Sequence, residues 1–258
     1  KPCYSKNIEI LKDKKIEFIE PQQGNMACGE EGIGRLPEVE TISNFIFNSL
    51  SSSYEDSIDS DLSNKLKNLK IIITAGPTRE DIDPIRFLSN DSSGKQGYRI
   101  AEEFKKIGAN VILISGPSSL EKPNVDKFIK IKSADDMLEM VKENMPTDVF
   151  ISTAAVSDWK LVPFDSKNKP VNNKNKIKKN IFKQKDIFFK IKENPDILKI
   201  ISHQKNRPKV VVGFAAETEN LIKNARSKLN SKNLDLIIAN KISPENQVFG
   251  SDFNSINI

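Results

Sequence analysis

The segment from residue 74 to residue 97 constrains the fold most, because an apolar run leads into it and an amphipathic pattern leads out of it. The run Leu69 to Ile73 predicts a buried strand, and the apolar residues from Tyr98 to Ile107 recur at helical spacing. The next apolar run, Asn110 to Ser115, predicts a second strand. The pattern therefore indicates a strand, a long loop, a helix and a strand, which is how an open α/β sheet begins.

Two clusters of small residues lie in this loop, Ala75-Gly76-Pro77-Thr78 and Ser92-Ser93-Gly94-Lys95-Gln96-Gly97. Loops at the carboxyl ends of strands in such sheets bind ligands. Small residues let backbone N–H groups approach an anion, and the start of a helix adds a positive dipole. The loop has neither the Lys-Ser/Thr pair of a P-loop nor a G-x-G-x-x-G pattern. It indicates a phosphate or nucleotide site, with ordinary strand-to-helix turns as the alternative.

Strand and helix patterns alternate through the rest of the chain. Five predicted strands and four predicted helices indicate a mostly parallel sheet with helices on both faces. Ser133 can cap the second helix, and Asn194-Pro195 can supply the N-cap and first-turn proline of the third. The later strands are predicted at Asp148–Ala154, Lys209–Phe214 and Leu234–Ala239, and the later helices at Ser133–Met145, Asn194–His203 and Thr218–Leu229.

A basic loop from Lys160 to Lys190 interrupts this alternation. It holds ten Lys and two Asp, a local charge of +8 within a chain whose net charge is +5. Loops of this length in a compact domain are usually lids or disordered. Because the positive charge is confined to one loop, it suits a triphosphate as well as a polynucleotide.

The composition limits the class of protein. A chain of 258 residues with 37% hydrophobic residues forms one large or two modest domains. Cys3 and Cys28 are the two cysteines, which is too few for a disulfide framework. No apolar run approaches the roughly 18 residues that a membrane span needs. We therefore expect a cytoplasmic globular protein without a membrane segment.

The first 65 residues have a different pattern. Four glycines surround Cys28 in what we predict to be a mobile loop. The stretch from residue 48 to residue 61 is rich in Ser and Asp and lacks apolar periodicity, so it reads as a linker. Predicted elements are a helix at Ser5–Lys14, a strand at Ile16–Ile19 and a helix at Glu38–Phe47.

The motifs T-A-G-P-T-R-E-D-I-D-P-I-R and L-S-N-D-S-S-G-K-Q-G, within residues 74–97, resemble a known enzyme family. They are similar to the phosphopantothenate–cysteine ligases, the second half of the bifunctional coenzyme A biosynthesis proteins. The resemblance implies a Rossmann-like fold, a homodimer, and ligation of 4′-phosphopantothenate to cysteine with CTP and Mg²⁺. In that reaction the substrate carboxylate forms an acyl-cytidylate, which cysteine then attacks.

The resemblance also assigns residue roles. Asn90 matches the asparagine that binds and converts the acyl-cytidylate, and Lys176 in K-I-K-K matches the lysine that helps to form it. From pattern alone, Phe214 reads as a core residue and Lys228 and Lys232 as an exposed helix face. No magnesium ligands are identified, and we expect Mg²⁺ to be held mainly by the CTP phosphates. The residues that match CTP-binding positions are Gly76, Ser93, Gly94, Ala154, Ala155, Asp158, Lys176, Pro195, Asp196, Ile197, Leu198, Phe214, Lys228 and Lys232.

A second resemblance covers the glycine-rich segment around Cys28. Its sequence A-C-G-E-E-G-I-G-R-L is similar to the substrate-clamp loop of the phosphopantothenoylcysteine decarboxylases, which are FMN enzymes. Cys28 matches the cysteine that donates a proton in that family. The flavin-binding segment and catalytic histidine of the family would lie upstream, so we expect FMN in a longer parent protein and not on this chain. The predicted division is a decarboxylase tail at 1–45, a linker at 46–65 and a ligase domain at 66–258, with a larger homo-oligomer for the parent.

Two alternatives remain from the residues alone. A nucleotide-binding α/β oxidoreductase would need G-x-G-x-x-G and an acidic residue about twenty positions later, and neither follows Ile73. A nucleic-acid-binding module would use the basic loop, with aromatic residues for stacking. Phe182, Phe188 and Phe189 flank the lysines in a pattern that favours packing, so we expect no nucleic-acid partner.

Overall fold

The structure is a computed structural model that describes residues 2–14, 18–19, 22–25, 31–35, 37, 41–43, 45, 64–165, 167–178, 188–241 and 256–258. Two compact units divide the chain, Lys1–Ser63 and Asn64–Ile258. In the first unit, helix α1 spans Pro2–Asp13, and strands β1 (Gln22–Asn25) and β2 (Glu31–Arg35) pair antiparallel. The predicted first helix is therefore confirmed, whereas Phe18 and Ile19 are not part of a strand.

A seven-stranded sheet forms the centre of the second unit. Its order is β13-β12-β11-β8-β3-β6-β7, and every pairing is parallel except that of β13 with β12. The predicted mostly parallel α/β fold is thus confirmed. The strands are β3 Lys70–Ala75, β6 Asn110–Ser115, β7 Lys127–Lys130, β8 Val149–Ser152, β11 Val210–Glu217, β12 Leu236–Lys241 and β13 Ile256–Asn257.

Two small antiparallel pairs accompany the sheet. Strands β4 (Arg79–Asp81) and β5 (Phe87–Ser89) form a hairpin within the loop after β3. Strands β9 (Trp159–Phe164) and β10 (Phe188–Glu193) pair along their full length. The prediction of a loop from Lys160 to Lys190 is therefore wrong at both ends, because alternating residues there find cross-strand partners.

Within the described part of the second unit, four helices cover the sheet, α2 (Lys95–Lys106), α3 (Ala134–Glu143), α4 (Ile197–Ser202) and α5 (Leu221–Ser231). The α2 residues Tyr98 and Ala101 pack on one face of the sheet. On the opposite face, α3 and α4 cover a second apolar cluster, and α5 packs on β11 and β12. Helices therefore lie on both faces, as predicted.

Local capping explains where the helices begin. The Ser133 hydroxyl accepts from the Asp136 amide at 3.1 Å, and the Asp136 carboxylate accepts from the Ser133 amide, so α3 has the predicted cap. Helix α4 is capped instead by Asp196, whose Oδ1 accepts from the Lys199 amide at 3.1 Å. The predicted Asn194 cap is wrong because Asn194 donates its side-chain amide to the Ser157 carbonyl.

Candidate functional site

A cleft of about 1160 Å³ lies beyond the carboxyl ends of β3, β8, β11 and β12. Strand β3 has β6 on one side and β8 on the other. The chain adds β6 and β7 on the first side of β3 and then returns to add β8 on the second, so the strand order reverses at β3. Open α/β sheets bind ligands at such a switch point. The cleft brings together four separate stretches, residues 89–97, 152–158, 194–198 and 214–216, with Lys228, Lys232, Ile238, Asn240 and other residues.

The small residues of the first stretch let the loop pack closely. Gly94 precedes α2 with a φ of 81°, in the left-handed region that favours glycine. A Cβ on Gly94 would lie 3.1 Å from the Cα of Gly76, which itself has a φ of 70°. Helix α2 begins at Lys95, three residues before the predicted start. In its first turn, Gly97 lies so close to Ala75 and Thr153 that a Cβ there would clash with both. Ser93 and Gly94 line the cleft, whereas Gly76 lies behind them and does not.

Asn90 lies in the cleft immediately after the β4–β5 hairpin. Its Nδ2 donates to the Val156 carbonyl at 3.0 Å, and the residue is exposed. The side-chain amide therefore links the loop after β5 to the loop after β8. Because Nδ2 of Asn90 makes this bond, the side-chain oxygen Oδ1 is left as a hydrogen-bond acceptor.

The stretch after β8 continues along the floor of the cleft. Ala154, Ala155 and Asp158 all line it. The Ala155 amide donates to the Gly76 carbonyl at 2.9 Å, so the two loops run side by side. Asp158 is exposed and accepts at its main-chain oxygen from the Asn194 amide at 2.8 Å.

Residues Pro195 to Leu198 line the cleft at the start of α4. The carboxylate of Asp196 caps the helix and also lies 3.0 Å from the Nζ of Lys232. Ile197 is buried in the core, while Leu198 is half-buried. The helix start therefore carries a paired carboxylate, and Lys232 brings a positive charge from the end of α5.

Phe214 is half-buried and lines the cleft, while its side chain also packs against the core. Lys228 lines the same cleft and its Nζ lies 2.5 Å from Oε1 of Glu217. Burial acts to raise the pKa of Glu217, but hydrogen bonds from Lys228 and Asn224 hold that pKa below its ordinary value. Lys228 and Lys232, two of the lysines that line the cleft, are thus each paired with a carboxylate.

Besides Gly76, two predicted residues do not lie in the described cleft, Lys176 and Cys28. Lys176 is exposed and does not line the cleft. The adjacent Ile177 is only 5% exposed, and its backbone is bound by Asp83 and Arg86. Cys28 lies outside the described residues, as do Lys179 and Phe182. The roles assigned to the site residues stay predictions.

The sequence analysis missed other residues of the cleft. Asn240 lines the cleft near the carboxyl end of β12 and is 4% exposed. It lies opposite Ala216 in the parallel pairing of β12 with β11. Asn194 also lines the cleft and donates its side-chain amide to the Ser157 carbonyl at 2.9 Å. Glu217 follows the cleft residues of β11 and accepts from Nζ of Lys228. For Asn240 and Glu217 the available signal was their position just beyond predicted strands, because parallel strands bring their carboxyl ends together.

Among the described residues, no three His, Cys, Asp or Glu side chains are grouped so that they could hold a metal ion. None of the described helices combines the length and apolar character required to cross a bilayer.

Comparison with known proteins gives the family. A family model described as the DNA/pantothenate metabolism flavoprotein C-terminal domain matches residues 66–258, and a model described as Flavoprotein matches residues 1–51. The chain is 41% identical over 261 residues to the coenzyme A biosynthesis bifunctional protein CoaBC of Bacillus subtilis, covering 100% of this chain and 59% of that protein. It therefore spans less than two thirds of that relative.

Solved structures agree with the match. A crystal structure of the C-terminal domain of CoaBC has a TM-score of 0.55 and 39% identity, over 67% of this chain and 78% of that one. The DNA/pantothenate metabolism flavoprotein from Streptococcus pneumoniae has a TM-score of 0.57 and 26% identity, over 68% and 85% of the two chains. Because the first family model covers more than half of the chain, this chain belongs to the DNA/pantothenate metabolism flavoprotein C-terminal domain family.

Proposed function

We propose that residues 66–258 form a CTP-dependent phosphopantothenate–cysteine ligase, part of a longer bifunctional protein of coenzyme A biosynthesis. The observation that carries the proposal is the cleft at the switch point of the sheet. It gathers Asn90, the loop after β8, the start of α4 and the α5 lysines, which are distant in sequence. The family match over the same residues and the CoaBC relatives support it.

The chemistry follows from the poor reactivity of a carboxylate toward an amine. The carboxylate of 4′-phosphopantothenate attacks the α-phosphate of CTP, which forms an acyl-cytidylate and releases pyrophosphate. The amine of cysteine then attacks the acyl carbon, and CMP leaves with the electron pair of the broken C–O bond. The protein contributes by holding anionic reactants together and by offsetting developing charge.

The residues of the cleft suit these tasks. Backbone amides at the start of α2 and the cations of Lys228 and Lys232 favour phosphate groups. Phe214 offers an aromatic surface to a base. Asn90 would contact the acyl-cytidylate, and Lys176 would approach the departing pyrophosphate from outside the cleft. The exposed carboxylate of Asp158 is the type of oxygen ligand that Mg²⁺ accepts, so a magnesium ion carried mainly by the CTP phosphates fits there.

The N-terminal segment supports a link to flavin chemistry in the longer protein. The Flavoprotein model matches residues 1–51, and the CoaBC relatives are described as bifunctional. We propose that the longer protein also decarboxylates phosphopantothenoylcysteine with FMN, and that Cys28 is the proton donor. Residues 46–65 are proposed as the linker between the decarboxylase segment and the ligase domain.

A homodimer through the ligase domain is proposed, with a larger homo-oligomer in the longer protein. The β9–β10 ribbon exposes large apolar side chains that a second copy would cover, with Ile191 67% and Phe188 56% exposed. Ile85 and Phe87 of the β4–β5 hairpin are also exposed, at 57% and 46%. We expect no nucleic-acid partner.

The decisive experiment measures CMP release from CTP by the full 258-residue chain. We expect release only when both 4′-phosphopantothenate and cysteine are present, and a marked preference for CTP over ATP in a competition assay. Pyrophosphate release without cysteine would identify the first step. CMP release in the absence of 4′-phosphopantothenate or of cysteine would contradict the proposal, as would equal use of ATP and CTP. Salt-dependent binding of an oligonucleotide would instead favour the nucleic-acid alternative.

A further inference from the structure

A buried threonine outside the cleft is bonded to both of the segments that meet at Asn90. Thr78 is the last residue of the small-residue cluster after β3 and immediately precedes β4. It is 0% exposed and does not line the cleft. Its side chain, amide and carbonyl each make a hydrogen bond to a residue of one of the two loops that do line the cleft.

The backbone of Thr78 carries the pairing of β3 with β8 past the ends of those strands. The Gly76 carbonyl accepts from the Ala155 amide at 2.9 Å, and the Thr78 amide donates to the Ala155 carbonyl at 3.3 Å. The Thr78 hydroxyl then accepts from the Ser157 amide at 2.9 Å. Ser157 is 2% exposed, so water has little access to replace this bond. Thr78 therefore holds the loop after β8 with its backbone and with its side chain.

The carbonyl of Thr78 holds the other loop. It accepts from the Ser89 hydroxyl at 2.7 Å, and Ser89 is the residue immediately before Asn90. Asn90 in turn donates from Nδ2 to the carbonyl of Val156, the residue immediately before Ser157. The contact between Asn90 and Val156 is thus bracketed by two bonds that both end on Thr78.

We infer that Thr78 is a positioning residue that fixes Asn90 against the loop after β8 for conversion of the acyl-cytidylate, an inference that rests on the proposed function. Asn90 is exposed, so the orientation of its amide depends on where the Val156 carbonyl lies. A shift of about 1 Å in a reacting group can cost about 100-fold in rate. Thr78 acts through Ser89 and Ser157 and touches no substrate.

Hydrogen exchange tests the bond to the loop independently of catalysis. Thr78→Val keeps the shape of the side chain but removes the hydroxyl, and we expect deuterium uptake in a peptide covering residues 153–158 to become at least about tenfold faster. Thr147→Val is the matched control. Thr147 is also buried, and its hydroxyl donates to the Lys70 carbonyl at 2.7 Å, before the amino end of β8. This control should leave uptake at 153–158 unchanged.

Quenched reactions then test the connection to Asn90. We expect Thr78→Val to convert acyl-cytidylate to CMP at least about tenfold more slowly, while pyrophosphate release and the KM for CTP change less than about threefold. Thr78→Ser restores the hydroxyl and should convert the acyl-cytidylate within about threefold of the wild-type rate. The double variant Thr78→Val/Asn90→Asp should be within about twofold of Asn90→Asp alone, because coupled residues are not additive.

Several outcomes would overturn the inference. They are unchanged exchange at 153–158 in a folded Thr78→Val variant, multiplied losses in the double variant, or a Thr78→Ser variant as slow as Thr78→Val. If Thr78→Val does not fold by circular dichroism, Thr78→Cys supplies a weaker acceptor and should show an intermediate loss, and a wild-type rate would refute the role.

Failure of the proposed function gives a different result. If the wild-type chain releases no CMP from CTP with both substrates present, the proposed function fails and this inference fails with it. If the wild-type chain releases CMP and a folded Thr78→Val variant releases it equally fast, the inference alone is overturned and the proposed function stands.

Discussion

Lys228 and Glu217 form an ion pair at the edge of the cleft, with Nζ 2.5 Å from Oε1. The Lys228 side chain is 41% exposed, whereas that of Glu217 is only 16% exposed. An incoming phosphate must therefore compete with a carboxylate for this cation. In the proposed CTP site, this pair would oppose nucleotide binding at this end of the cleft.

Removing the competing carboxylate is expected to tighten nucleotide binding. Glu217→Gln should lower the Kd for CTP by about threefold to tenfold, because Lys228 would no longer share its charge with a carboxylate and a tenfold change in Kd corresponds to about 1.4 kcal/mol. Lys228→Gln should raise the Kd by about tenfold. Calorimetric titration measures both. Lys209→Gln, which breaks a pair with Asp148 away from the cleft, is the control. Weaker binding by Glu217→Gln would contradict the competition.

The two proposed catalytic residues should affect different steps. Lys176→Gln removes a cation aimed at departing pyrophosphate, so we expect about 100-fold slower formation of acyl-cytidylate. Asn90→Asp loses the donor to the Val156 carbonyl and adds a negative charge, so the acyl-cytidylate should form and persist. Mass spectrometry of quenched reactions separates the two results. Accumulation in the Lys176 variant, with none in the Asn90 variant, would reverse the assignment.

Gly97 should tolerate no side chain. A Cβ there would lie 2.3 Å from Oγ1 of Thr153 and 2.6 Å from Cβ of Ala75, so α2 would have to move off the sheet. We expect Gly97→Ala to lower the free energy of unfolding by about 1–3 kcal/mol, the usual range for an overpacked core. Denaturant titration measures the change. Gln96→Ala in the same helical turn is the control, and equal stabilities of the two variants would disprove close packing at Gly97.

Acid should destabilise the fold. Hydrogen bonds from Arg86, Lys105 and Lys209 are the leading causes that hold the pKa values of Asp83, Asp126 and Asp148 below the ordinary value of 3.8. Because the folded pKa values are lower than the unfolded ones, the stabilisation is complete above about pH 4 to 5 and is lost as the pH falls further. Urea unfolding from pH 7 to pH 2.5 measures this. Asp148→Asn should show a shallower decline, and stability that rises below pH 4 would refute the assignment.

The exposed ribbon should be the dimer contact. Ile191→Lys places a charge on the most exposed of its apolar side chains, so sedimentation should shift from dimer to monomer at micromolar concentration. Ile222, which is 50% exposed on α5, provides the control substitution Ile222→Lys. A wild-type monomer, or an Ile191→Lys dimer as tight as the wild type, would contradict the proposed interface.

Local patterns were sufficient for the main elements of the second unit. The run before residue 74 and the run Asn110 to Ser115 became adjacent parallel strands, and Ser133 capped α3. The reason is that hydrophobic periodicity and capping residues act within a few positions of the chain. Strand β7 was missed, because its four residues place Phe128 and Ile129 side by side between two lysines and show neither alternation nor a long apolar run.

Long-range partners required the folded chain. Nothing near Lys228 indicates that Glu217 will neutralise it, and nothing near Ile177 indicates Asp83 and Arg86. The ribbon between β9 and β10 depends likewise on pairing between Trp159 and Glu193 across the basic segment. Periodicity records which side of an element is buried, but ion pairs and strand pairings depend on which distant surfaces the packing brings within a few ångströms.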